Sequence, residues 1–385
     1  MNLMLKYSFR NILRHKISQF VTMILLIVAV VAYIVFPTAA KSAFMAIKKY
    51  GFKDTVLIME KNNLKLAFSR VDEELYQFVK TAPHVKVEGN EPLVSPYLQM
   101  SSVFGDQFLM LRGITDAFYK IRGKTFNIVQ GRGLNDKYDI LIGNLASKRL
   151  GKLYRVGDIL SLEDKKWKVV GIFHAKNDPV ASGALVRMAD FKEVSARGTY
   201  SFIEIKADNP KNIPKLTGYI NMAFGMLHDE YPDAPAIMAI PEKQYWGQLA
   251  KMFKMAILVS KTKAAVVVVC MLLFIMNISH SSFLKRTGEM RIMSNCGISR
   301  AGIFFGMLLE VLILSIAAGI IGGIIAVACS GMVVNLQLAT ILLKIEPSAI
   351  FRGVLVAVIL GCLGRMLPMI QVAFFRSQRI KGVVA

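Results

Sequence analysis

Four long stretches almost free of charged side chains constrain this chain more than any other feature. Two of them, Ile17 to Ala40 and Ala264 to Leu284, contain no Asp, Glu, Lys or Arg, and the other two, residues 301–343 and 353–375, contain one charge each. A run of about 20 apolar residues spans the hydrocarbon core of a bilayer. The sequence therefore predicts an integral membrane protein.

The predicted organisation assigns one membrane helix to each stretch. Along the chain we expect a cytoplasmic amphipathic helix (1–16), transmembrane helix 1 (17–40), an extracytoplasmic α/β domain (41–241), a stalk continuing into transmembrane helix 2 (242–284), a cytoplasmic coupling segment (285–300), transmembrane helix 3 (301–334), a short external loop (335–351), transmembrane helix 4 (352–375) and a cytoplasmic tail (376–385). The fold class is thus an α-helical membrane protein with four transmembrane helices and a large mixed α/β domain between helices 1 and 2.

The orientation follows from the basic residues beside the membrane segments. Residues 1–16, 285–300 and 376–385 are rich in Lys and Arg, and such short flanks remain cytoplasmic. Both termini are therefore predicted inside and residues 41–241 outside. A cleaved signal peptide is the alternative for the first segment, but secretory apolar cores are only about 7 to 15 residues long.

The net charge of +22 does not indicate nucleic acid, because the cytoplasmic flanks account for much of it. The external surplus of basic residues fits anionic lipid headgroups, an acidic cargo or an acidic partner, or simply a solvated basic surface. The four cysteines, at 270, 296, 329 and 362, all fall in membrane segments or the coupling segment. We therefore expect no external disulfide framework.

Strand and helix patterns alternate in the external domain. Ser69 to Asp72 fits a capping box that opens a helix ending at Lys80, and residues 159–162 and 167–173 flank a polar turn as in a hairpin. Neither proline nor glycine occurs from Gln248 to Leu284. One helix from Glu242 to Leu284 would be roughly 60 Å long, so half of it would form a stalk outside the membrane.

Four regions together resemble the FtsX/MacB-like permease subunits of ABC transporters, a mechanotransmission family. The first region is the basic start, Phe9 to Lys16, and the second is a series of short motifs in the outer domain: Gly131-Arg132-Gly133-Leu134, Asp136, Ile142-Gly143, Leu145-Ala146, Leu150-Gly151, Val156-Gly157-Asp158 and Val169-Val170-Gly171-Ile172. The third region is the coupling segment, with Met276-Asn277-Ile278, Lys285 to Met290 and Gly297 to Arg300. The fourth is Glu310, which precedes Gly319, Gly322 and Gly323. The family's Ala-Leu-Gly is replaced by Asn295-Cys296-Gly297. The resemblance covers nearly the whole chain.

The resemblance implies a MacB-like periplasmic core domain, a bacterial cytoplasmic (inner) membrane location and a separate ABC ATPase subunit. It also implies a second permease copy or a paralogue, contact with membrane lipids, and a periplasmic adaptor (membrane fusion protein) or lipoprotein carrier as a further partner. No cofactor is expected in this chain, because ATP and Mg²⁺ would be bound by the ATPase. No nucleic acid is expected.

Catalytic motifs are missing from the sequence. It contains no Gly-x-x-x-x-Gly-Lys-Ser/Thr, Gly-x-Ser-x-Gly, His-Glu-x-x-His or Cys-x-x-Cys. His228-Asp229-Glu230 is better explained as a solvated loop than as a metal site. We therefore predict a non-enzymatic subunit with no catalytic or metal site.

The coupling segment combines charged and apolar residues in a short amphipathic helix ended by a glycine, which suits a groove on a soluble partner. By resemblance that partner is the ATPase, and the predicted contact residues are Arg286, Glu289, Met290, Arg291, Ile292, Met293 and Gly297, with Arg10 and Arg14 of the N-terminal helix. The alternative is that the basic residues only set the topology.

Two charges lie within the membrane stretches, and each costs roughly 3 kcal/mol at a helix centre if unpaired. Glu310 is ten residues from Arg300 and Arg365 eleven from Arg376, so both are about 15 Å from the inner face. We predict an ion pair between them; the alternatives are snorkelling, contact with helix 1 or contact with another protomer. Gly319 and Gly323 predict a close helix contact, within the subunit rather than at a dimer seam.

Three functions remain open from the sequence. The first is an ABC permease that drives export or extraction of a lipoprotein, lipid, peptide or amphiphilic drug. The second is an ATP-driven regulator of an extracellular cell-wall hydrolase, which the large outer domain disfavours. The third, a secondary transporter, is disfavoured because the membrane stretches contain only Glu310 and Arg365 as charges and no inverted repeat.

Overall fold

The computed structural model describes residues 16–61, 63, 65–104, 107–123, 125–149, 154–176, 179–336 and 339–373. The chain divides into two compact units. The helical unit comprises Met1–Ser42, Met255–Met332 and Leu342–Ala385, and the α/β unit comprises Ala43–Lys254 and Val333–Ile341.

The helices are α1 (Lys16–Lys49), α2 (Glu73–Lys80), α3 (Asp116–Arg122), α4 (Asn144–Arg149), α5 (Met188–Ser195), α6 (Ile213–Glu230), α7 (Glu242–Asn295), α8 (Arg300–Ala328) and α9 (Ser348–Ala373). The strands are β1 (Thr55–Glu60), β2 (Val87–Glu88), β3 (Glu91–Pro92), β4 (Val94–Phe104), β5 (Gln107–Ile114), β6 (Phe126–Gly131), β7 (Asp139–Gly143), β8 (Ile159–Leu162), β9 (Lys165–Ala175), β10 (Ala184–Arg187), β11 (Phe202–Lys206), β12 (Ile237–Pro241), β13 (Val333–Leu336) and β14 (Ala339–Leu342).

The α/β unit is built on one mixed sheet. Its strand order is β12-β1-β11-β4-β5-β10-β7-β9-β6, and β8 pairs with β9 as a hairpin. The β10/β5 and β7/β9 pairs are parallel, whereas β1 is antiparallel to both β11 and β12. The earliest and latest strands of this sheet along the chain, β1 and β12, thus lie side by side, with Val56 opposite Pro241.

Both faces of this sheet are covered. In β1, Val56 and Ile58 belong to one hydrophobic core, whereas Leu57 and Met59 belong to the other. The first core includes the buried face of α6, and the second includes residues from the start of α7. Alternation of side chains along a strand explains this division, and it accounts for the continuous burial of β1.

Local predictions in this unit are partly confirmed. The hairpin is present as β8 and β9, and its turn residues Glu163 and Asp164 adopt positive φ angles. The capping box is wrong, because α2 begins after Asp72 and the Ser69 hydroxyl instead accepts a hydrogen bond from the Glu60 N–H at 2.8 Å. The Ser69 hydroxyl therefore bonds to strand β1 and does not cap α2.

The helical unit gathers four long helices. Among the described residues, α1, α7, α8 and α9 are long and apolar enough to cross a membrane by length and composition. Their shared core contains Leu26, Ala29, Ile275, Ala318 and Leu360, so each helix contributes to it. The helix bounds differ from the predicted segments: α1 continues to Lys49 through Pro37, and α8 ends at Ala328, before the β13/β14 hairpin.

α7 and α8 form a helical hairpin whose turn is defined by local sequence. Gly297 has φ +84°, and the Ile298 N–H bonds to Met293 O while the Gly297 N–H bonds to Ser294 O, which is a Schellman stop. The Ser299 hydroxyl then accepts from the Gly302 N–H and caps α8. The predicted short coupling helix is therefore the last part of α7, not a separate element.

Candidate functional site

A buried polar cluster lies among the four long helices of the helical unit. Its centre is Glu310 on α8, whose side chain is only 1% exposed. Arg365 Nη1 on α9 donates to Glu310 Oε1 at 2.8 Å. The structure thus brings together the two charges for which the sequence predicts an ion pair.

Two more side chains complete this cluster, which we call the membrane hub: Gln19, Arg286, Glu310 and Arg365. The Gln19 amide on α1 donates to Glu310 Oε1 through Nε2 and accepts from Arg365 through Oε1, so it bridges the pair. Arg286 Nη1 on α7 lies 3.3 Å from both carboxylate oxygens. All four helices therefore meet at one carboxylate.

The contacts within the hub differ in strength. The Arg365 contact is short, whereas the Arg286 contacts lie at the long end of hydrogen-bond distances. Within the described part of the chain, Arg286 Nε has no hydrogen-bond partner. Removing one partner of a buried ion pair costs about 3–5 kcal/mol. The Glu310–Arg365 ion pair therefore holds α8 and α9 together, and the Arg286–Glu310 contact is the easier one to break.

The hub lies nine to ten residues from the turn of the α7/α8 hairpin. Arg286 precedes the end of α7 at Asn295 by nine residues, and Glu310 follows the start of α8 at Arg300 by ten. Both are thus about 15 Å from the turn. The residues between them form the hairpin tip, 287–309.

The structure divides the predicted coupling residues into two groups. Arg286 and Met290 are buried, and Met290 packs with Phe283, Ile303 and Met307, so their assignment to a partner-facing surface is corrected. Met293 is half-buried against the same cluster. Apolar residues at these positions pack α7 on α8, because the hairpin supplies a nearer apolar surface than any partner would.

The other predicted coupling residues remain accessible. Arg291, Ile292 and Gly297 are exposed and Glu289 is partly exposed. Ile292 exposes 64% of its surface. Arg10 and Arg14 lie outside the described residues.

Gly319 and Gly323 both face α9. A Cβ on Gly319 would lie 2.5 Å from the Val354 Cα, and a Cβ on Gly323 would lie 2.7 Å from the Ile350 Cα. Only glycine permits this approach of two backbones. The glycines thus hold together the two helices that supply Glu310 and Arg365.

A second buried ionic cluster lies in the α/β unit, at the start of α7. Arg122 Nη2 is 2.7 Å from Glu204 Oε1 and 2.8 Å from Glu242 Oε1, and all three side chains are buried. Tyr97 donates to Glu204 at 2.7 Å, and the Phe52 N–H donates to Glu242 at 2.9 Å. We call Arg122, Glu204 and Glu242 the sheet anchor, because they tie the first residue of α7 to the sheet.

The electrostatics of the sheet anchor favour the ionised form of Glu242. Burial by itself would raise the pKa of Glu242, but the positive charge of Arg122 and hydrogen bonds from the Phe52 N–H and Thr55 hydroxyl outweigh it and hold the pKa below its usual value. Burial, and then the charge of Glu204, raise the pKa of Tyr97 well above its usual value. Tyr97 therefore remains a neutral donor.

Sequence reasoning missed Gln19 and the whole sheet anchor, and it assigned Arg286 to a partner-facing surface and not to the hub. Gln19 was a usable signal, since it is a polar residue near the start of an otherwise apolar stretch. Arg122, Glu204 and Glu242 are far apart in the chain and carry no shared motif. Among the described residues, no three His, Cys, Asp or Glu side chains gather as a metal site.

Comparison with known proteins gives two family matches. Residues 20–222 match the MacB-like periplasmic core domain, and residues 263–375 match the FtsX-like permease C-terminal domain. An uncharacterized ABC transporter permease of Methanocaldococcus jannaschii is 23% identical over 348 residues, which is 83% of this chain and 82% of that protein.

Two solved structures resemble parts of the chain. The extracellular domain of the noncanonic ABC-type transporter YknZ from Gram-positive bacteria aligns with TM-score 0.37 and 18% identity, over 48% of this chain and 99% of that one. The periplasmic region of MacB from Actinobacillus actinomycetemcomitans aligns with TM-score 0.38 and 13% identity, over 53% and 95%.

Proposed function

Because the chain belongs to the FtsX/MacB-like permease subunits of ABC transporters, we propose that it couples ATP hydrolysis by a separate ATPase subunit to a conformational change of its α/β unit. The permease itself performs no catalysis in this scheme. ATP and Mg²⁺ are bound by the ATPase.

The observation that carries the proposal is the way α7 is held. Its first residue, Glu242, belongs to the sheet anchor, and Arg286 belongs to the membrane hub. Between them, α7 is one helix. A helix held by buried ionic contacts at two distant positions suits transmission of force between them. The sheet anchor holds Glu242 at 2.8 Å and is costly to break, whereas the 3.3 Å contact of Arg286 can rearrange.

The hairpin tip is the proposed ATPase contact. Arg291 and Ile292 are exposed there, and Gly297 ends α7 at the turn. An exposed apolar side chain beside a positive charge fits a groove on a soluble partner. When the ATPases close on ATP, they move this tip, and the longer Arg286–Glu310 contact is the part of the hub that rearranges.

The working assembly in this proposal contains two permease chains, identical or paralogous, and two ATPase subunits. All four long helices cross the membrane, both termini are cytoplasmic, and the α/β unit lies outside. The cargo is a lipoprotein, lipid, peptide or amphiphilic drug that is handled outside the membrane, and a periplasmic adaptor or lipoprotein carrier receives it.

The first experiment is purification of the full chain from native membranes with identification of the co-eluting proteins. We expect an ABC ATPase whose hydrolysis rate changes in the presence of the permease. A chain purified without any ATPase, yet still active in transport, would exclude the proposal. A co-eluting cell-wall hydrolase instead of an adaptor or carrier would select the regulatory function.

The hairpin tip can be tested with matched variants. Ile292→Asp should abolish the effect of the permease on ATPase activity. Ile159→Asp in β8 is the control, since Ile159 has nearly the same exposure, 66% against 64%. Equal losses in both variants would show that the tip has no special role.

A further inference from the structure

One face of α6 in the α/β unit is apolar and yet exposed. Tyr219, Met222 and Met226 expose 43%, 63% and 61% of their surfaces. At about 100° per residue they lie within about 60° of one line along the helix. The opposite face of α6 packs on the sheet through Leu216, Ile220 and other buried residues, so this line points away from the core.

Two glycines lie on the same exposed face. Gly218 and Gly225 are helical, and a Cβ at either would meet nothing within 4 Å. Packing among the described residues therefore does not require them. Glycine is the poorest helix former after proline, so its presence at two positions in the middle of one exposed face requires another explanation.

Charges complete the pattern. Lys215 is exposed near the start of α6 and Asp229 near its end, and both lie on the line through Met222. Lys215 is seven residues before Met222 and Asp229 seven residues after it. The face is thus basic at one end, acidic at the other and apolar between.

We infer that this face binds the same face of a second copy of the chain, with the two α6 helices antiparallel about a two-fold axis at Met222. Such an axis brings together residues equally far on either side of Met222, as in any isologous contact. Lys215 of each chain then lies opposite the partner's Asp229, and Met222 opposite the partner's Met222.

The same axis explains the glycines. Tyr219 and Met226 lie about 40–60° to one side of the line through Met222, and Gly218 and Gly225 lie equally far to its other side. The two-fold axis keeps each side with itself, so Met226 packs beside the partner's Tyr219, and the glycine sides of the two helices also face each other. Because the glycine side has no side chains, it allows close approach of the two backbones.

A single helix pair is a small interface, and it would be weak between free domains. Two chains held in one membrane assembly meet at a high effective concentration, where a weak contact is sufficient. The inference thus rests on the paired permeases of the proposed function and identifies one surface through which they pair.

The test is disulfide cross-linking of the full chain in membranes, with the ATPase present and the four native cysteines replaced by alanine. Met222→Cys should yield at least about tenfold more cross-linked dimer than Leu227→Cys. Leu227 is an apolar residue of the same helix, 41% exposed, but it lies about 140° away around the axis. A disulfide requires Cβ atoms about 3.5–4.5 Å apart, so the reaction reports the pairing closely.

Charge reversal gives an independent readout. In the Met222→Cys background, Lys215→Glu or Asp229→Lys should each reduce the dimer yield several-fold, because each variant places like charges opposite one another. The double reversal should restore the yield. Failure of the double reversal to restore it would overturn the assigned pairing.

The outcomes separate this inference from the proposed function. Equal yields from Met222→Cys and Leu227→Cys, with the ATPase still co-purifying, would overturn the α6 contact and leave the proposed function intact. A Met222→Cys cross-link to a different protein, or its shielding from a water-soluble maleimide by lipid without dimer formation, would also overturn it. Loss of ATPase co-purification in the unmodified chain would overturn the proposed function instead.

Discussion

Replacement of Glu310 by glutamine should destabilise the helical unit more than replacement of either arginine in the hub. Glu310 is the carboxylate that both Arg286 and Arg365 contact. Glu310→Gln deprives both guanidinium groups of this charge, whereas Arg365→Gln or Arg286→Gln leaves a neutral pair. The structure therefore predicts which of the three substitutions lowers the unfolding free energy most, and not only that each lowers it.

The magnitudes follow from burial and distance. Glu310→Gln should cost about 4 kcal/mol of unfolding free energy, within the range for breaking a buried ion pair. Arg365→Gln, which loses a 2.8 Å contact, should cost about 2–3 kcal/mol, and Arg286→Gln, which loses 3.3 Å contacts, about 1 kcal/mol. The double variant of Glu310 and Arg365 should show a coupling energy of about 2 kcal/mol.

The assay is unfolding of the purified chain in mixed micelles with increasing SDS, followed by far-ultraviolet circular dichroism. Both tryptophans, Trp167 and Trp246, belong to the α/β unit, so their fluorescence is an internal control that should not change between variants. The reasoning is refuted if Glu310→Gln costs no more than Arg365→Gln, or if their coupling energy is below about 0.5 kcal/mol.

Three further expectations concern other parts of the molecule. Gly319→Val should lower the unfolding free energy of the helical unit by at least about 2 kcal/mol, because its Cβ would lie 2.5 Å from a backbone atom of α9. Gly247→Ala in α7 is the control: its Cβ would meet none of the described atoms within 4 Å, so it should cost nothing in unfolding followed by tryptophan fluorescence. Folding lowers the pKa of Glu242 from its usual 4.5, so the contribution of this carboxylate to stability is complete above about pH 4.5 and is lost as the pH falls through the folded pKa. Glu242→Gln should therefore flatten the acid side of the stability profile measured by tryptophan fluorescence. An unchanged slope would contradict this expectation. Cys296 is exposed at the hairpin tip, and with the other cysteines replaced it should react with an impermeant maleimide only in inverted vesicles, while reaction in right-side-out vesicles would reverse the proposed topology.

Two local signals in the sequence predicted local structure correctly, whereas the capping box at Ser69 to Asp72 was wrong. Gly297 as a helix stop and the hairpin of β8 and β9 follow from residue types at fixed positions in turns. The Glu310–Arg365 contact could also be predicted, because the regular rise of a helix places both residues at equal depth in the membrane. These inferences depend on one element or on two elements of known direction.

Contacts between distant parts of the chain could not be predicted from the sequence in the same way. The pairing of β1 with β12 joins Val56 to Pro241, and no local periodicity contains that information. Arg286 was assigned to a partner surface because the coupling segment combines charged and apolar residues in an amphipathic helix, and a topology signal alone was the alternative. Its burial depends on the α7/α8 hairpin, which places it opposite Glu310.

The junction of β12 with α7 has a mechanical consequence. Pro241 ends the strand and Glu242 begins the helix, so no loop residue separates them. A shift of the sheet edge cannot be absorbed by slack in the backbone, and it must turn or displace the adjoining helix directly. In the proposed function, a movement of this edge is therefore passed directly to α7, and a movement of α7 is passed to the edge.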